Sequence, residues 1–381
     1  MDHSLTQIAE MDRGSVLHPF THAKDYASGK AGDPTIITGG KGIRIQDAKG
    51  NSYIDGFAGL YCVNIGYGRD EVADAISKQA HQLAYYHSYA AHTTDQLAIL
   101  SDRLVRMAPG KMSKVFYGMS GSDANETQAK LVWYYNNLRG MPAKKKIISR
   151  DRGYHGCSVI SGSMTGMSFY HDHMDLPMGL IRHTGALFGC TKYDIEPDLI
   201  TVAKGLTSAY VPLSAAIIGE KVYKVIEEGA DRVGAFSHGY TYSGHPIGVA
   251  CANAVLDIVE REDLPGNART TGAYFQDRLR QVFAQMPIVG EVRGVGLMAA
   301  LEFVADRDKK QRFDPALKVG AKVSAAARAR GLIARAMPHG DILGFAPPLV
   351  TTREDVDAII DIAEAAVREV MDQLTREKAF V

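Results

Sequence analysis

Cysteine and long apolar runs are scarce in this chain of 381 residues, and each scarcity excludes a class of protein. The four cysteines are Cys62, Cys157, Cys190 and Cys251; they form no Cys-x-x-Cys pair and have no histidine at metal-binding spacing. We therefore expect the reduced thiols of a cytoplasmic protein, with neither a disulfide framework nor a metal site. No stretch reaches the roughly 18 apolar residues of a membrane span. The N-terminus has no apolar core, so we expect no signal peptide.

Neither sign of charge is in excess, because Lys+Arg and Asp+Glu number 43 each. This balance favours neither nucleic acid nor an anionic membrane as a partner. After residue 70, segments with strand and helix patterns alternate, which predicts an α/β fold with a mostly parallel, doubly wound sheet. From residue 265 the pattern changes and ends in a helix capped by Thr352. We expect a large domain at 61–264 and a smaller one formed by 1–60 and 265–381.

A short apolar run that ends in a lysine is the most informative segment. Leu199–Ala203 is apolar and β-branched without alternation, which predicts a fully buried strand. Lys204 follows at the carboxyl end of that strand, where open α/β sheets bind ligands. Apolar walls there would favour a neutral, nucleophilic amine, as Schiff-base chemistry requires. A lysine that only marks the end of a strand in water is the competing interpretation.

Three other segments carry residues suited to binding a flat phosphate ester. Gly121 and Ser122 follow a predicted strand and open a helix, so they could bind a phosphate or serve as an ordinary helix start. Tyr154 and His155 follow the next strand, where an aromatic ring can stack on a ligand or simply pack in the core. Thr241 precedes a long helix, which its hydroxyl could cap without any ligand.

A strand-end lysine, a phosphate-type helix start and an aromatic platform together describe a site for pyridoxal phosphate. With these motifs the chain resembles a class III aminotransferase, of the type that acts on ω-amino acids or amines and has the aspartate-aminotransferase fold (fold type I). The resemblance covers nearly the whole chain and rests on segments 59–68, 118–126, 154–156, 197–208, 240–246 and 346–349. It implies transfer of an amino group to a keto acid such as pyruvate. A homodimer is implied, and a tetramer stays open.

The resemblance also implies roles for individual residues. Lys204 would hold the cofactor as a Schiff base and afterwards move a proton. The residues that would bind the cofactor phosphate and ring are Gly121, Ser122, Tyr154, His155 and, reaching across from the partner subunit, Thr241. Tyr61 would wall the substrate pocket, Arg335 would pair with a substrate carboxylate, and Phe20 would line the same pocket. Other class III reactions, an aminomutase or a decarboxylating transaminase, stay open as alternatives.

One departure from the family pattern is large. Between Gly185 and Ala186 the family has a further segment, which carries two central strands and the aspartate that pairs with the pyridine nitrogen. Either the natural protein carries residues that this sequence lacks, or the chain is an internally deleted form that binds a ligand or partner with little or no activity. We favour the first explanation, because the other site residues are in place. An intact mass near 41.3 kDa would contradict it.

Overall fold

The structure is a computed structural model that describes residues 3–176, 181–183, 196–338 and 340–379. Its helices are α1 (Leu5–Ser15), α2 (Ala23–Ala27), α3 (Ala58–Tyr61), α4 (Asp70–Gln82), α5 (Asp95–Met107), α6 (Gly121–Leu138), α7 (Val159–Met164), α8 (Glu220–Val233), α9 (Pro246–Arg261), α10 (Leu264–Phe283), α11 (Val319–Ala329) and α12 (Arg353–Arg376). Its strands are β1 (Ile37–Lys41), β2 (Arg44–Asp47), β3 (Ser52–Asp55), β4 (Met112–Gly118), β5 (Ile147–Ser149), β6 (Ile181–His183), β7 (Leu199–Val202), β8 (Ser214–Gly219), β9 (Val289–Val295), β10 (Met298–Phe303), β11 (Leu332–Ile333), β12 (Arg335–Ala336) and β13 (Ile342–Phe345).

The chain divides into two compact units. The terminal unit comprises Met1–Gly59, Gly66–Gly68 and Pro265–Val381, and the central unit comprises Leu60–Ile65 and Arg69–Leu264. None of the helices within the described ranges is both long and apolar enough to cross a membrane.

The terminal unit contains two four-stranded sheets. One has the order β1-β2-β3-β11, and its β2–β3 hairpin turns at Asp47, whose carboxylate accepts bonds from the backbone of Lys49 and Asn51. The other has the order β12-β13-β10-β9, in which each pairing is antiparallel. Helices α10, α11 and α12 supply much of the core, with fully buried residues that include Phe275, Val323 and Ile360.

Helix α12 begins where the sequence predicts. The Thr352 hydroxyl accepts a bond from the Asp355 N–H, and the Asp355 carboxylate accepts one from the Thr352 N–H, so both helix-start donors are satisfied. The predicted apolar face of this helix is buried along its length: Val356, Ile360, Ala363, Val367, Val370 and Leu374.

The central unit has a three-stranded sheet of order β4-β8-β7 and a separate parallel pair, β5 and β6. Strand β8 runs antiparallel to both of its neighbours, and all six of its residues are buried. This sheet therefore differs from the predicted mostly parallel one. The difference has two parts: β8 makes both described pairings of this sheet antiparallel, and no described strand joins the sheet to the parallel pair β5–β6.

Strand β7 also corrects the prediction of full burial. Each of its four residues is only partly buried, although the segment is apolar and β-branched. The physical reason is its place in the sheet, since β7 is the last of the described strands in the order β4-β8-β7 and has a strand neighbour on one side. On the separate pair, Ile148 of β5 is 67% exposed. Exposed apolar strands at open sheet edges are unusual in native proteins.

Candidate active site

A cavity of about 440 Å³ lies within the central unit, at the ends of β4 and β7. It brings together five of the residues predicted from the sequence, namely Gly121, Ser122, Tyr154, His155 and Lys204. Its remaining lining is largely apolar and includes Ala203, Val211, Pro212 and Leu213. The predicted residues are separated widely in sequence, so their convergence comes from the fold and not from local pattern.

The start of α6 forms one wall of this cavity. Ser120 is the N-cap, and its hydroxyl and the Asp123 carboxylate close a capping box with a 3.2 Å and a 2.9 Å bond. In the described part of the chain, the N–H groups of Gly121 and Ser122 have no acceptor, and both residues line the cavity. Free N–H groups at the positive end of a helix dipole bind anions well. The Ser122 hydroxyl, which accepts a 3.2 Å bond from the Cys157 N–H, adds a further polar contact.

The loop after β5 forms the facing wall. The Tyr154 side chain is 50% exposed, which leaves ring surface available to a planar ligand. Partial burial and the neighbouring Cys157 thiol raise the pKa of its phenol, so the ring presents a neutral hydroxyl at physiological pH. Gly156 has a φ of +134°, and a Cβ there would collide with Ser161 and lie 2.7 Å from Ser122 Oγ. Only glycine therefore lets this loop approach the α6 start.

Lys204 follows β7 by two residues, at the start of a 3₁₀ turn over Lys204–Leu206. Its φ of +51° is in the left-handed region, which costs a non-glycine residue roughly 1 kcal/mol or more. Strain of this kind is tolerated mainly at functional sites. The side chain is exposed, which corrects the expectation that apolar walls enclose it. The open edge of β7 explains the exposure, because no described strand covers that side.

Asn125 is a site residue that the sequence reasoning missed. Its amide donates a 2.6 Å bond to the His155 carbonyl, and its side-chain oxygen accepts a 2.8 Å bond from Thr201. It thereby ties the strand that carries Lys204 to the loop that carries Tyr154. The signal was present, since Asn125 is one helical turn after Gly121 and so shares its face of α6.

The other predicted residues do not line this cavity. In the central unit, Tyr61 ends α3 with a φ of +59°, and Thr241 is exposed with its carbonyl bonded to the Tyr85 hydroxyl at 2.7 Å. Arg335 and Phe20 belong to the terminal unit. The Arg335 guanidinium lies 5.2 Å from the centre of the Phe57 ring, and Phe20 is 79% exposed.

No acidic residue is found among the described residues that line the cavity. Nor do the described residues contain a group of three or more His, Cys, Asp or Glu side chains that could hold a metal ion. The residues present suit a phosphate group, a planar ring and a carbonyl that reacts with an amine. A carboxylate partner for a ring nitrogen is not among them.

Comparisons with known proteins agree with this chemistry. A sequence model of the aminotransferase class-III family matches residues 26–181 and 178–367. An uncharacterized aminotransferase, y4uB of Sinorhizobium fredii, is 64% identical over 463 positions that cover 99% of both chains. The diaminobutyrate–2-oxoglutarate transaminase of Halomonas elongata is 46% identical, with 98% of each chain covered.

Solved structures give the same result. A transaminase from work on directed evolution by ancestral reconstruction is 53% identical, with a TM-score of 0.92 over 97% of this chain and 99% of that one. The omega transaminase of Pseudomonas jessenii, in complex with PMP, is 31% identical with a TM-score of 0.91, over 97% of this chain and 99% of that one. The predicted fold type I and α/β class are thereby confirmed.

The sequence alignment also shows that this chain lacks residues that its Sinorhizobium relative has. The alignment to the Sinorhizobium protein has 463 positions against 381 residues here, so the relative has residues where this chain has none. The family match is divided into two blocks that overlap at residues 178–181. Such a division is expected where the family model has a segment that the chain lacks. The predicted junction between Gly185 and Ala186 lies outside the described residues. On its sequence match, its fold and its cavity, the chain belongs to the class III aminotransferases, which are pyridoxal-phosphate-dependent transaminases.

Proposed function

We propose that this protein moves the amino group of an ω-amino acid or primary amine to pyruvate, through a Schiff base at Lys204, in two half-reactions with ping-pong kinetics. The observation that carries the proposal is the meeting of Lys204, Tyr154 and the α6 start in one cavity. We further propose a cytoplasmic homodimer, in which the partner subunit's Thr241 reaches the phosphate.

Each cavity residue has a separate task in this proposal. The N–H groups of Gly121 and Ser122 bind the phosphate, and Tyr154 covers one face of the ring, with His155 beside it. When bound, pyridoxal phosphate supplies an electron sink that stabilises negative charge on the substrate carbon. The Lys204 amine would hold the cofactor by condensing with its carbonyl, with loss of water, and once displaced by the substrate amine it would take up the proton from that carbon.

The proposed substrate class is supported by residues outside the cavity and by the names of relatives. Diaminobutyrate and gamma-aminobutyrate, named for relatives at 46% and 32% identity, both carry an amine at one end and a carboxylate at the other. As the resemblance implies, Arg335 would pair with such a carboxylate, and Tyr61 and Phe20 would line the substrate pocket. One relative is named for 2-oxoglutarate, so the choice of acceptor needs a direct test.

An assay of paired donors and acceptors tests the proposal. Purified protein loaded with pyridoxal phosphate is given 4-aminobutyrate or 1-phenylethylamine, each with pyruvate or 2-oxoglutarate. We expect alanine to form from pyruvate with both donors. Glutamate formed without alanine would contradict pyruvate as the acceptor. Isomerised amine without keto acid would indicate an aminomutase, and released CO₂ a decarboxylating transaminase.

A second candidate function is binding with little or no catalysis. Two observations favour it, the lack of an acidic residue among the described cavity residues and the open edge of β7. Such a protein would turn yellow with pyridoxal phosphate and keep that absorption spectrum after amine is added. A shift of the absorption band on adding amine would exclude it.

The serine at the α6 start gives a first prediction. Replacing Ser122 with alanine removes one hydroxyl contact to the phosphate, and we expect pyridoxal phosphate to bind about tenfold more weakly. Absorbance titration of the apoprotein measures this affinity. Ser77→Ala, at an exposed position on α4, is the matched control and should bind as the unaltered protein does. Equal affinity in the Ser122 variant would remove this hydroxyl from the phosphate site.

Arg335 gives a second prediction, about substrate choice. With Arg335→Gln we expect KM for 4-aminobutyrate to rise by about 10- to 100-fold, because a charge-assisted bond to the carboxylate is lost. KM for 1-phenylethylamine, which has no carboxylate, should stay the same. Steady-state kinetics with both donors measures the split, and Arg307→Gln, an exposed arginine of the same unit, is the control. An equal rise in KM for both donors would mean that Arg335 does not bind the substrate carboxylate.

A further inference from the structure

A loop between α8 and α9, residues 236–243 (the Thr241 loop), lies against α6 within the central unit. His238 fastens it, since its Nε2 is 2.9 Å from the Thr127 hydroxyl and its Nδ1 is 3.4 Å from the Lys130 ammonium. The imidazole also stacks on Phe116 of β4, with ring centres 5.1 Å apart and planes 16° from parallel. Neither the family motifs nor the proposed chemistry uses this histidine.

The partners of the ring define its protonation state. Lys130 can only donate, so Nδ1 accepts. The Thr127 hydroxyl donates its hydrogen to the Asp123 carbonyl at 2.9 Å, so it accepts from Nε2–H of His238. His238 is therefore neutral, with its hydrogen on Nε2. A second proton on Nδ1 would face the Lys130 ammonium, and that contact would break.

The contacts of His238 lead to the phosphate-binding start of α6. The Tyr240 hydroxyl donates to the same Asp123 carbonyl at 3.1 Å. The Asp123 carboxylate accepts bonds from the Met119 and Ser120 N–H groups at 2.8 and 2.9 Å and from the Ser214 hydroxyl at 2.8 Å. Asp123 therefore has two roles: its carbonyl accepts bonds from Thr127 and from Tyr240 of the Thr241 loop, and its carboxylate holds the chain that enters Gly121 and Ser122.

We propose that neutral His238 is a positioning residue that holds the Thr241 loop against α6 at Thr127 and Lys130 and so keeps the phosphate-binding start of that helix in place, and that its protonation weakens cofactor binding. The inference rests on the proposed function, because it takes the α6 start as the phosphate site. It deepens that function by giving the site a dependence on pH that comes from a residue outside the cavity.

The surroundings of the ring decide the direction of this dependence. Within the described residues, the charged and titratable groups that face it are Lys130 and Glu126 of α6 and Tyr240 of its own loop, and β4 contributes the apolar Phe116. Burial, followed by the Lys130 charge, lowers the pKa of His238 below its usual 6.5, and Glu126 opposes the shift. A lowered folded-state pKa means that the native contacts are fully present above 6.5. These contacts are lost as the pH falls through the folded-state pKa of His238, which lies below 6.5.

The experiment compares the pH dependence of pyridoxal phosphate affinity, between about pH 5 and 8, in four proteins. These are the unaltered chain, His238→Gln, Lys130→Met and, as the matched control, His81→Gln, which removes an exposed histidine on α4. Ionisation of the cofactor itself affects all four proteins equally, so differences in pH dependence between them arise from the protein. Because the Lys130 charge lowers the pKa of His238, removing that charge should move the midpoint of the acid limb to higher pH. The His238→Gln variant should lose that limb, and the control should match the unaltered protein.

Each outcome bears on the inference. An acid limb that is unmoved by Lys130→Met and retained in His238→Gln overturns it. Failure of every protein to bind pyridoxal phosphate at pH 8 overturns the proposed function instead. In that case the NMR titration of His238 decides its state, and a pKa of 6.5 or above that Lys130→Met leaves unchanged would overturn the inference as well.

Discussion

Replacing Lys204 with alanine is expected to remove covalent attachment of the cofactor and to lower the rate of amine-dependent pyruvate consumption by about 10³-fold. Two losses combine in this variant, since the covalent link and the proton-moving amine come from the same side chain. No other lysine lines the cavity among the described residues, so none is placed to substitute. This is the largest effect that we expect from a single substitution.

Borohydride reduction followed by peptide mass analysis measures the attachment directly. The unaltered protein should yield a pyridoxyl group on the peptide that contains Lys204, and the alanine variant should yield none. Lys144→Ala, at an exposed position of the same unit, controls for loss of any lysine and should keep the modification at Lys204. A pyridoxyl group on another lysine of the unaltered protein would disprove the assignment, whether or not activity is lost.

The backbone at Lys204 offers a further reason to expect a special role. A left-handed φ at a lysine is costly, and Ser208 and Ala209 of the same segment also have positive φ, +48° and +62°. The segment is held in place from outside, since the Ser208 hydroxyl accepts a 3.1 Å bond from the Ile65 N–H. Such strain persists only where surrounding contacts impose it, and it is concentrated at functional sites.

Local features of the fold were predictable from the sequence. The Thr352 cap and the apolar spacing after it predict α12, and the structure confirms both, because capping and helical periodicity depend on neighbours a few residues apart. The run of apolar residues before Lys204 likewise predicts a strand, and β7 is present at Leu199–Val202. The motifs that meet in the cavity each follow or open an element that the pattern identifies.

The apolar pattern of β7 alone could not predict how exposed β7 and Lys204 are, although the absence of two central family strands predicts unpaired strand edges. Burial of a strand depends on which strands flank it, and those partners come from distant parts of the chain. The apolar, β-branched composition of β7 suits a strand covered on both sides, yet it has a described strand neighbour only in β8. Composition and exposure therefore disagree at this strand. The Sinorhizobium relative has residues where this chain has none, and in the family pattern the segment between Gly185 and Ala186 carries two central strands, which would be the absent neighbours of β7.

The last prediction concerns that missing segment. Inserting the corresponding segment of the Sinorhizobium relative between Gly185 and Ala186 is expected to raise the melting temperature and to increase amine-dependent pyruvate consumption by about 10²-fold or more. Strand neighbours would pair with the open edge of β7 and bury Ile200 and Val202. The segment would also supply the carboxylate that the resemblance places against the pyridine nitrogen, which keeps the ring an electron sink.

Hydrogen exchange at the β7 amides measures the structural half of this prediction, and the donor–acceptor assay measures the catalytic half. A Gly/Ser-rich insert of equal length at the same point is the matched control, and it should leave exchange at β7 and the rate unchanged. Protection of β7 without a gain in rate would mean that the edge is repaired but the carboxylate is not what limits the reaction. Unchanged exchange at β7 would show that its exposed edge is not the place where the missing segment belongs. A fast reaction by the 381-residue chain itself, at an intact mass near 41.3 kDa, would show that the chain works without the segment.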